Sequence, residues 1–430
     1  MGAAGFFGIK LTPISMSAST VILTLAVADS IHILVSFKTL MREGSTKLES
    51  IIEAARINFL PVTITSVTTI VGFLALNFSD SPPFWHLGNI TAIGIFTAWL
   101  LSITLLPAIL SLLPVRITPS KKLEWTQKVM THIANFVIYN SRKILVISCI
   151  AVAILASFIP TISFNDQWVE YFDERVEFRR DSDQALKSFG LYPIEFSVPA
   201  KNTGGVSEPE YLRYLEEFTT FLSAQPEVLH VYSITDIMKR LNKNMHSDNN
   251  SFYRLPDNRQ LSAQYLLLYE LSLPYGLDLN DRINVDKSAT RVTAMLQKAS
   301  TSETKSFLDA TRQWMFQNWP EYMMSQPTSA QVMFTYITDR NVQNMISGTI
   351  GAILVKAIIM IGALRSIRLG LMSMVRNGLP LLRTFGAWAL LYGEVGLAGA
   401  TVASISLGII VADTVHFLSK YVRAKNEKGL

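Results

Sequence analysis

Two copies of one short pattern, 384 positions apart, organise this sequence. "VADSIHIL" occupies residues 27–34, and "VADTVHFL" occupies residues 411–418. Each places an aspartate inside a long apolar run and a histidine three residues later, so both side chains share one face of a helix. A charged residue at the centre of a bilayer costs about 2.5–3.5 kcal/mol on insertion scales and normally faces a protein interior or a water-filled cavity. The pattern therefore predicts four site residues: Asp29, His32, Asp413 and His416.

The two copies belong to a longer internal repeat. The offset that aligns the two aspartates also matches several other pairs: Gly2 with Gly386, Leu23 with Leu407, Val27 with Val411 and Leu34 with Leu418. Transporters are commonly built from repeated halves, with coupling ions bound near the membrane midplane between them. A buried polar pair that only holds helices together is the structural alternative. The repetition favours a functional site that exchanges protons.

Composition indicates a membrane protein. The chain is 49% hydrophobic, and its mean hydropathy is positive. Residues 164–340 hold 24 acidic and 18 basic residues, whereas the rest of the chain holds 9 acidic and 20 basic residues. Those basic residues flank apolar runs and form no basic face interleaved with aromatics, which argues against nucleic acid as a partner. The single cysteine, Cys149, excludes an intrachain disulfide and a cysteine-based metal cluster.

Seven apolar runs are near the length that a helix needs to cross the hydrocarbon layer. We predict spans at 15–37, 58–78, 87–113, 143–162, 343–364, 374–394 and 400–421. Lysine and arginine are concentrated in alternate short loops, and the intervening loops contain none. Because cytoplasmic loops carry the excess of basic residues, this pattern places residues 164–341 outside.

The predicted domain organisation follows from these spans. The stretch 119–141 spaces apolar residues on one helical face, which predicts an amphipathic helix on the inner membrane surface, an ordinary linker helix being the alternative. The parts in chain order are 1–118 (a stump and three spans), 119–141 (the linker helix), 142–163 (the span opening the second half), 164–341 (an extracytoplasmic domain) and 342–430 (three further spans).

The outer block predicts an α+β domain in which a strand–helix–strand unit occurs twice, a ferredoxin-like arrangement. Ser207 and Glu210 have the spacing of a capping box at the start of its first helix. The block contains no glycine-rich phosphate loop, catalytic carboxylate pair or nucleophile elbow, so we expect a binding or moving part. The predicted strands are 194–200, 227–234, 291–297 and 331–337, the helices are 207–225 and 302–319, and an insertion at 235–290 has its own helix around 259–271.

Several segments in a fixed order resemble a known superfamily. Besides the two aspartate motifs, these are "ITSVTTIVGFLAL" (64–76), "GIFTAWLLSITLLPAIL" (94–110), "ALRSIRLGLMSMVRNGLP" (363–380), "YFDERVEFRRDSD" (171–183) and "YRLPDNRQLSAQYLLLYE" (253–270). Over nearly its whole length the chain resembles a resistance-nodulation-division (RND) superfamily permease. The likeness is to the MMPL-type or hydrophobe/amphiphile-exporter branch, which is related to proteins with sterol-sensing domains.

The resemblance implies a fold and a transport function. Such permeases have twelve spans in two halves, each with an extracytoplasmic porter domain, so we expect this chain to be a fragment. It would run from the end of the third span to just after the tenth. Family members use protonatable residues in the fourth and tenth spans as a relay that powers export, and Asp29 and Asp413 occupy these positions, with His32 and His416 completing each motif.

The implied partners are protons and hydrophobic or amphiphilic molecules, including lipids, with no cofactor and no metal. The implied location is the inner membrane, with residues 164–341 in the periplasm. Oligomeric state stays open, and a homo-oligomer is compatible with the pattern. Lys356 departs from it by lying inside the predicted span 343–364, where it either snorkels towards the cytoplasmic face or pairs with an acidic residue.

Three other functions compete with proton-driven export. A lipid- or sterol-responsive sensor on the same scaffold would need no proton gradient, and a protein-translocation accessory is a further member of the same superfamily. An intramembrane enzyme is the least supported, since the sequence has no HExxH motif. It also has no GxxxxGK[ST] loop for ATP, so uphill transport requires an ion gradient.

Overall fold

The computed structural model describes residues 2–115, 122–165, 167–274, 278–297 and 299–427. The chain divides into two compact units. Met1–Ser163 and Arg340–Leu430 form the first, which we call the helical unit. Phe164–Asp339 form the second, which we call the α+β unit.

Helices dominate the described residues. In chain order they are α1 (Gly2–Phe6), α2 (Pro13–Met16), α3 (Ala18–Arg42), α4 (Lys47–Leu74), α5 (Pro82–Ile103), α6 (Leu105–Leu112), α7 (Lys122–Tyr139), α8 (Ser141–Ala156), α9 (Glu177–Ser188), α10 (Pro209–Ser223), α11 (Ile234–Met245), α12 (Arg259–Ser272), α13 (Thr301–Asn318), α14 (Ala330–Leu364), α15 (Ile367–Leu391) and α16 (Leu397–Glu427). The strands are β1 (Ser163–Phe164), β2 (Tyr192–Pro199), β3 (Val228–Tyr232), β4 (Ala289–Leu296), β5 (Pro327–Thr328) and β6 (Glu394–Val395).

Local sequence explains where the long helices begin. At the start of α4, the Thr46 hydroxyl accepts the Glu49 backbone N–H, and the Glu49 carboxylate accepts the Thr46 backbone N–H at 3.0 Å. This reciprocal pair is a capping box, which satisfies two of the helix's unpaired donors. Helix α5 starts with Pro82, a position where the missing N–H removes no hydrogen bond.

Five helical segments in the described part of the chain are long and apolar enough to cross a membrane by length and composition. They are Pro13–Arg42, Lys47–Phe78, Pro82–Leu112, Ser141–Thr161 and Ala330–Leu364. The first five predicted spans coincide with these segments. Helices α15 and α16 cover the last two predicted spans, but α15 carries Arg368, Arg376 and Arg383. The count of seven spans therefore stays a prediction.

In the helical unit, α3, α4, α5 and α16 pack against one another. Phe73 of α4 packs with Leu87 of α5 and Leu25 of α3 in one apolar cluster. In a second cluster, Ile64 of α4 meets Val411 and Val415 of α16 together with Met360 of α14. This packing brings the two helices that carry the repeated motif, α3 and α16, onto the same partner, α4.

The α+β unit is built on an antiparallel sheet with the strand order β3-β4-β2-β5 in its described residues. Strands β2 and β4 pair along their whole length, from Tyr192 opposite Leu296 to Pro199 opposite Ala289. Helix α10 lies between β2 and β3 in the chain, and α13 lies between β4 and β5. The predicted apolar face of α10 is buried in the core, with Leu212, Leu215, Phe218 and Leu222 at 0% exposure.

Two local predictions for this unit are wrong. The run 331–337 is not a strand, because it forms the first turns of α14, and the fourth strand is the two-residue β5 just before it. A short apolar run does not distinguish a strand from a buried helix segment. Here the run belongs to a helix that is 35 residues long in total. The capping box at Ser207 is also wrong: Glu208 is the N-cap residue of α10 and Pro209 starts the helix.

The other predicted helices are present. Helix α13 matches the prediction at 302–319, and α12 matches the helix of the insertion. Helix α7 lies within the predicted linker 119–141 and begins at Lys122, whereas residues 116–121 lie outside the described residues.

Candidate functional site

Asp29 lies in the interior of the helical unit. Its side chain in α3 is 9% exposed and faces α4. The Ser66 hydroxyl of α4 donates a hydrogen bond to Asp29 Oδ2 at 3.4 Å. A carboxyl group at this position is kept from the surrounding hydrocarbon and has a hydroxyl beside it, which is the environment expected for a functional acid in a membrane span.

The two repeated histidines meet. The imidazole rings of His32 in α3 and His416 in α16 are stacked, with centroids 3.6 Å apart and an angle of 20° between the ring planes. His416 is 5% exposed. The structure thus brings His32 and His416 into contact, and Asp29 lies three residues before His32 on α3.

The fourth predicted residue, Asp413, lies in α16, three residues before His416. Its side chain lies outside the described part of the structure, so the contacts of its carboxyl group stay a prediction.

A hydrogen-bonded chain connects α4 to the His32 backbone. The Asn58 amide of α4 donates to the Ser36 hydroxyl at 2.8 Å, and that hydroxyl donates to the His32 carbonyl oxygen at 3.0 Å. Asn58 is 1% exposed, and its amide nitrogen also lies 2.8 Å from the carbonyl oxygen of Ala54. This network fixes α3 against α4 one turn beyond the histidine.

A similar contact joins α15 to α16. The Thr414 hydroxyl donates to Asn377 Oδ1 at 2.6 Å, and Arg376 Nη1 donates to the same hydroxyl oxygen. Thr414 lies between Asp413 and His416, so α15 contacts the second motif directly.

The sequence analysis missed both asparagines. Each is followed three positions later by a proline within the same helix, in "NFLP" (58–61) and "NGLP" (377–380). This Asn-x-x-Pro pattern, present in two helices that pack against the motif helices, was the available signal. Asn58 and Asn377 are uncharged and link α4 to α3 and α15 to α16, the two helices that carry the repeated motif.

Lys356 is a buried cation in the same interior. Its side chain in α14 is 4% exposed, and its Nζ atom lies against Gly72 of α4, where a Cβ atom would come within 2.6 Å of it. The snorkelling interpretation is therefore wrong, because the amine points between helices instead of along the surface of the unit.

An apolar cavity of about 680 Å³ lies beside α3 and α5. Its volume falls in the range of sites that hold drug-sized ligands. The lining includes Ile22, Leu23, Ile90, Ile93 and Leu101. Within the described residues, no group of three or more His, Cys, Asp or Glu side chains is arranged to hold a metal ion.

The first part of the chain matches a known protein family. Residues 2–142 match the profile of the MMPL family. A curated relative, membrane protein MJ1562 of Methanocaldococcus jannaschii, is 33% identical over 110 residues, which is 25% of this chain and 28% of the relative. The matched residues include α3 and its motif, and the expected resemblance to the MMPL family is confirmed for this part of the chain.

Two solved structures of RND-superfamily proteins share the fold. The hedgehog release protein Disp from the water bear Hypsibius dujardini has a TM-score of 0.62 at 11% identity, over 97% of this chain and 55% of that one. SecDF in its super-membrane-facing form has a TM-score of 0.50 at 12% identity, over 99% of this chain and 46% of that one. The chain spans less than two thirds of each relative's length. The chain is thus similar to the MMPL family over residues 2–142 and to these two proteins in fold, and five of its described helical segments are long and apolar enough to cross a membrane.

Proposed function

We propose that this chain forms the proton-coupling part and one porter domain of an RND-type permease that exports hydrophobic or amphiphilic molecules, lipids or drugs, across the inner membrane. The observation that carries the proposal is the stack of His32 on His416, at 3.6 Å, between the two helices of the repeat. A sensor has no need to bring two titratable rings together beside a buried carboxyl group. A proton pathway, in contrast, requires titratable groups that are close to one another.

In this mechanism Asp29 and Asp413 take up the coupling protons, and the two histidines pass protons between the halves. Protonation removes a negative charge from the interior, which changes the electrostatic interactions among α3, α4 and α16. The driving force is sufficient: it is about 1.4 kcal/mol per pH unit and about 2.3 kcal/mol per charge for every 100 mV of membrane potential. The protonation cycle itself needs no metal or cofactor.

The α+β unit is proposed to be a ferredoxin-like porter domain on the periplasmic side. Two strand–helix–strand segments, β2–α10–β3 and β4–α13–β5, support this assignment, as does the antiparallel order in which β2 and β4 occupy the centre of the sheet. The excess of basic residues in the alternate loops of the helical unit supports the orientation.

The deciding experiment measures proton-driven transport of a panel of fluorescent amphiphiles by the native full-length protein in everted vesicles. Asp29→Asn and Asp413→Asn are each expected to reduce transport to background at unchanged protein abundance, because asparagine keeps the size of the side chain but cannot ionise. His32→Gln and His416→Gln should cause partial loss, most evident in the pH profile, since water can replace a proton shuttle.

Asp80→Asn is the matched control. Asp80 is an exposed acid that pairs with Arg340 at 3.0 Å, outside the predicted relay, so its neutralisation should leave transport unchanged. Wild-type transport in both Asp29→Asn and Asp413→Asn would overturn the relay and favour the lipid- or sterol-responsive sensor.

A further inference from the structure

Helix α15 carries two exposed arginines that the proposed relay does not use. Arg376 and Arg383 are seven residues apart, so they lie on one face of the helix, about 10.5 Å from each other along its axis. Helix α15 contacts α16 through Asn377 and α8 through Gly386. Helix α8 belongs to a segment that is long and apolar enough to cross a membrane. Two cations therefore lie on an exposed helix face beside a candidate span.

The contacts of both guanidinium groups are with uncharged atoms. Arg376 Nη1 donates to the Thr414 hydroxyl oxygen, and Arg383 Nη2 donates to the Ser148 carbonyl oxygen of α8 at 3.3 Å. The sequences of α8 and α15 contain no aspartate or glutamate. A guanidinium group has five N–H donors, so most of the donors on each arginine are available to an anion. A cation beside hydrocarbon is costly unless it has such a partner.

The direction of the Arg383 side chain argues against simple anchoring at the nearer end of α15. Arg383 lies eight residues before the C-terminal end of the helix and sixteen after its start. Gly386 lies against Leu155 of α8, whereas Arg383, three residues earlier in α15, reaches Ser148, seven residues earlier in α8. The side chain therefore extends about 6 Å back along α8, away from the nearer end and towards Arg376.

Exposed apolar side chains continue this face on both sides of the arginines. Met372 lies four residues before Arg376 and is 66% exposed, and Leu390 lies seven residues after Arg383 and is 56% exposed. Residues at these spacings share one side of a helix. The face therefore combines apolar surface with two cations between its ends, which is the complement of a molecule that has an acyl chain and an anionic headgroup.

We propose that this arginine face (Met372, Arg376, Arg383 and Leu390) binds an anionic amphiphile from the bilayer, with the phosphate or carboxylate headgroup at the two arginines and the acyl chain on the apolar side chains. Arginine can hold either group through two parallel hydrogen bonds. The inference rests on the proposed export function and names its substrate class, amphiphiles with an anionic headgroup. Two arginines about 10.5 Å apart along the helix provide successive positions for the headgroup as it moves along α15.

The first test measures binding to the native full-length protein in detergent micelles by fluorescence anisotropy. The probes are NBD-labelled phosphatidic acid and NBD-labelled diacylglycerol with the same acyl chains, which differ only in the phosphate group. The wild type should bind phosphatidic acid at least about tenfold more tightly than diacylglycerol, which cannot use the charge-assisted hydrogen bonds. Arg376→Gln and Arg383→Gln should each weaken phosphatidic acid binding by about tenfold and leave diacylglycerol binding unchanged. Equal affinities for the two probes in the wild type would overturn the proposal.

Arg368→Gln is the matched control. Arg368 is exposed and is the second residue of α15, at the end of the helix, so its loss should leave both affinities unchanged. Arg376→Lys and Arg383→Lys keep the charge and should retain most of the affinity for phosphatidic acid. Unchanged diacylglycerol binding in the Gln variants shows that they are folded. An equal loss of phosphatidic acid binding in all three Gln variants would assign the arginines to non-specific anchoring and refute the site.

Inorganic phosphate distinguishes a membrane amphiphile from a soluble anion. Because the proposed ligand also uses the apolar part of the arginine face, an excess of inorganic phosphate should not displace bound phosphatidic acid. Displacement by inorganic phosphate alone would identify a site for soluble anions and overturn the assignment to an amphiphile.

Transport separates this inference from the proposed function. In everted vesicles, Arg376→Gln should lower proton-driven transport of anionic amphiphiles by about tenfold and leave that of neutral amphiphiles unchanged, whereas Asp29→Asn should abolish both. Transport that requires Asp29 but has the same selectivity in the wild type and Arg376→Gln refutes only the arginine face. Binding of phosphatidic acid that depends on Arg376 and Arg383, without any proton-driven transport, supports the arginine face and refutes the proposed permease.

Discussion

Both units have apolar clusters in their interior, but their helices differ in how many polar side chains they bury. Helix α10 of the α+β unit turns Leu215 and Phe218 into the core, where both are 0% exposed. Helix α4 of the helical unit instead buries hydroxyl groups, with Thr65 at 3%, Ser66 at 4% and Thr68 at 0% exposure. Helix α4 therefore buries more hydroxyl groups than α10 does, beside apolar side chains such as Phe73.

The solvent of each unit explains the difference. Water drives apolar side chains inward, so a helix beside water buries its leucines. Hydrocarbon solvates leucine as well as a protein interior does, and Leu23 on α3 is 66% exposed. Polar groups in such a helix must turn inward. The apolar core of the α+β unit supplies stability, whereas the polar groups buried in the helical unit are those that we propose carry protons.

The largest expected effect tests the apolar core. Residues 164–339, expressed alone, should fold, and Leu215→Ala should lower their free energy of unfolding by about 2–5 kcal/mol, because it leaves a cavity in a fully buried site. Urea unfolding followed by circular dichroism measures this difference. Leu23→Ala in the full chain is the contrasting substitution and should alter stability by less than about 0.5 kcal/mol. An aggregated, unstructured segment would contradict independent folding.

The second prediction concerns alkaline pH. Burial raises the pKa of Tyr192 to about 12, with the nearby charge of Glu170 adding to the shift. The unfolded chain loses this proton near pH 10. The folded segment therefore holds more protons between pH 10 and 12, and its stability should fall by about 2–3 kcal/mol as the pH rises through this window.

The control for this prediction substitutes an exposed tyrosine. Tyr192→Phe should make the alkaline decline in the free energy of unfolding less steep, leaving the part due to Tyr211, whose pKa burial also raises. Tyr253→Phe, at a side chain that is 47% exposed, should leave the decline unchanged. The same slope in the wild type and Tyr192→Phe would assign the decline to other groups.

The smallest expected effect tests the polar interior. Thr69→Val keeps the shape of the side chain and removes the hydrogen bonds from Thr69 Oγ1 to the Thr65 carbonyl oxygen of the same helix, at 2.7 Å, and to the Gly408 carbonyl oxygen of α16, at 2.9 Å. Because hydrogen bonds within membrane proteins average about 0.6 kcal/mol, the loss of stability in mixed micelles should be of that order. Thr24→Val, whose exposed hydroxyl bonds only within its own helix, is the control. A loss of several kcal/mol at Thr69 would show that the polar interior carries stability as well.

The predictable features were those encoded in neighbouring residues. The apolar runs predicted the helices, because about 20 consecutive apolar residues can cross the hydrocarbon only as a helix. The spacing of apolar residues predicted α10 and α13, the helices that follow the strands β2 and β4 in the chain. The prediction of a strand at 331–337 failed, since a seven-residue, mostly apolar run fits either a strand or a helix and only its continuation into α14 decides between them.

The sequence by itself determined which residues to examine, because two aspartates and two histidines inside apolar runs are costly and repeated. Only the tertiary structure decided that His32 lies on His416, that Asn58 and Asn377 hold the neighbouring helices, and that Lys356 turns inward at Gly72. The physical reason is that hydropathy reports the mean environment of a helix. The direction in which each polar group points is set by contacts between helices that lie hundreds of residues apart in the chain.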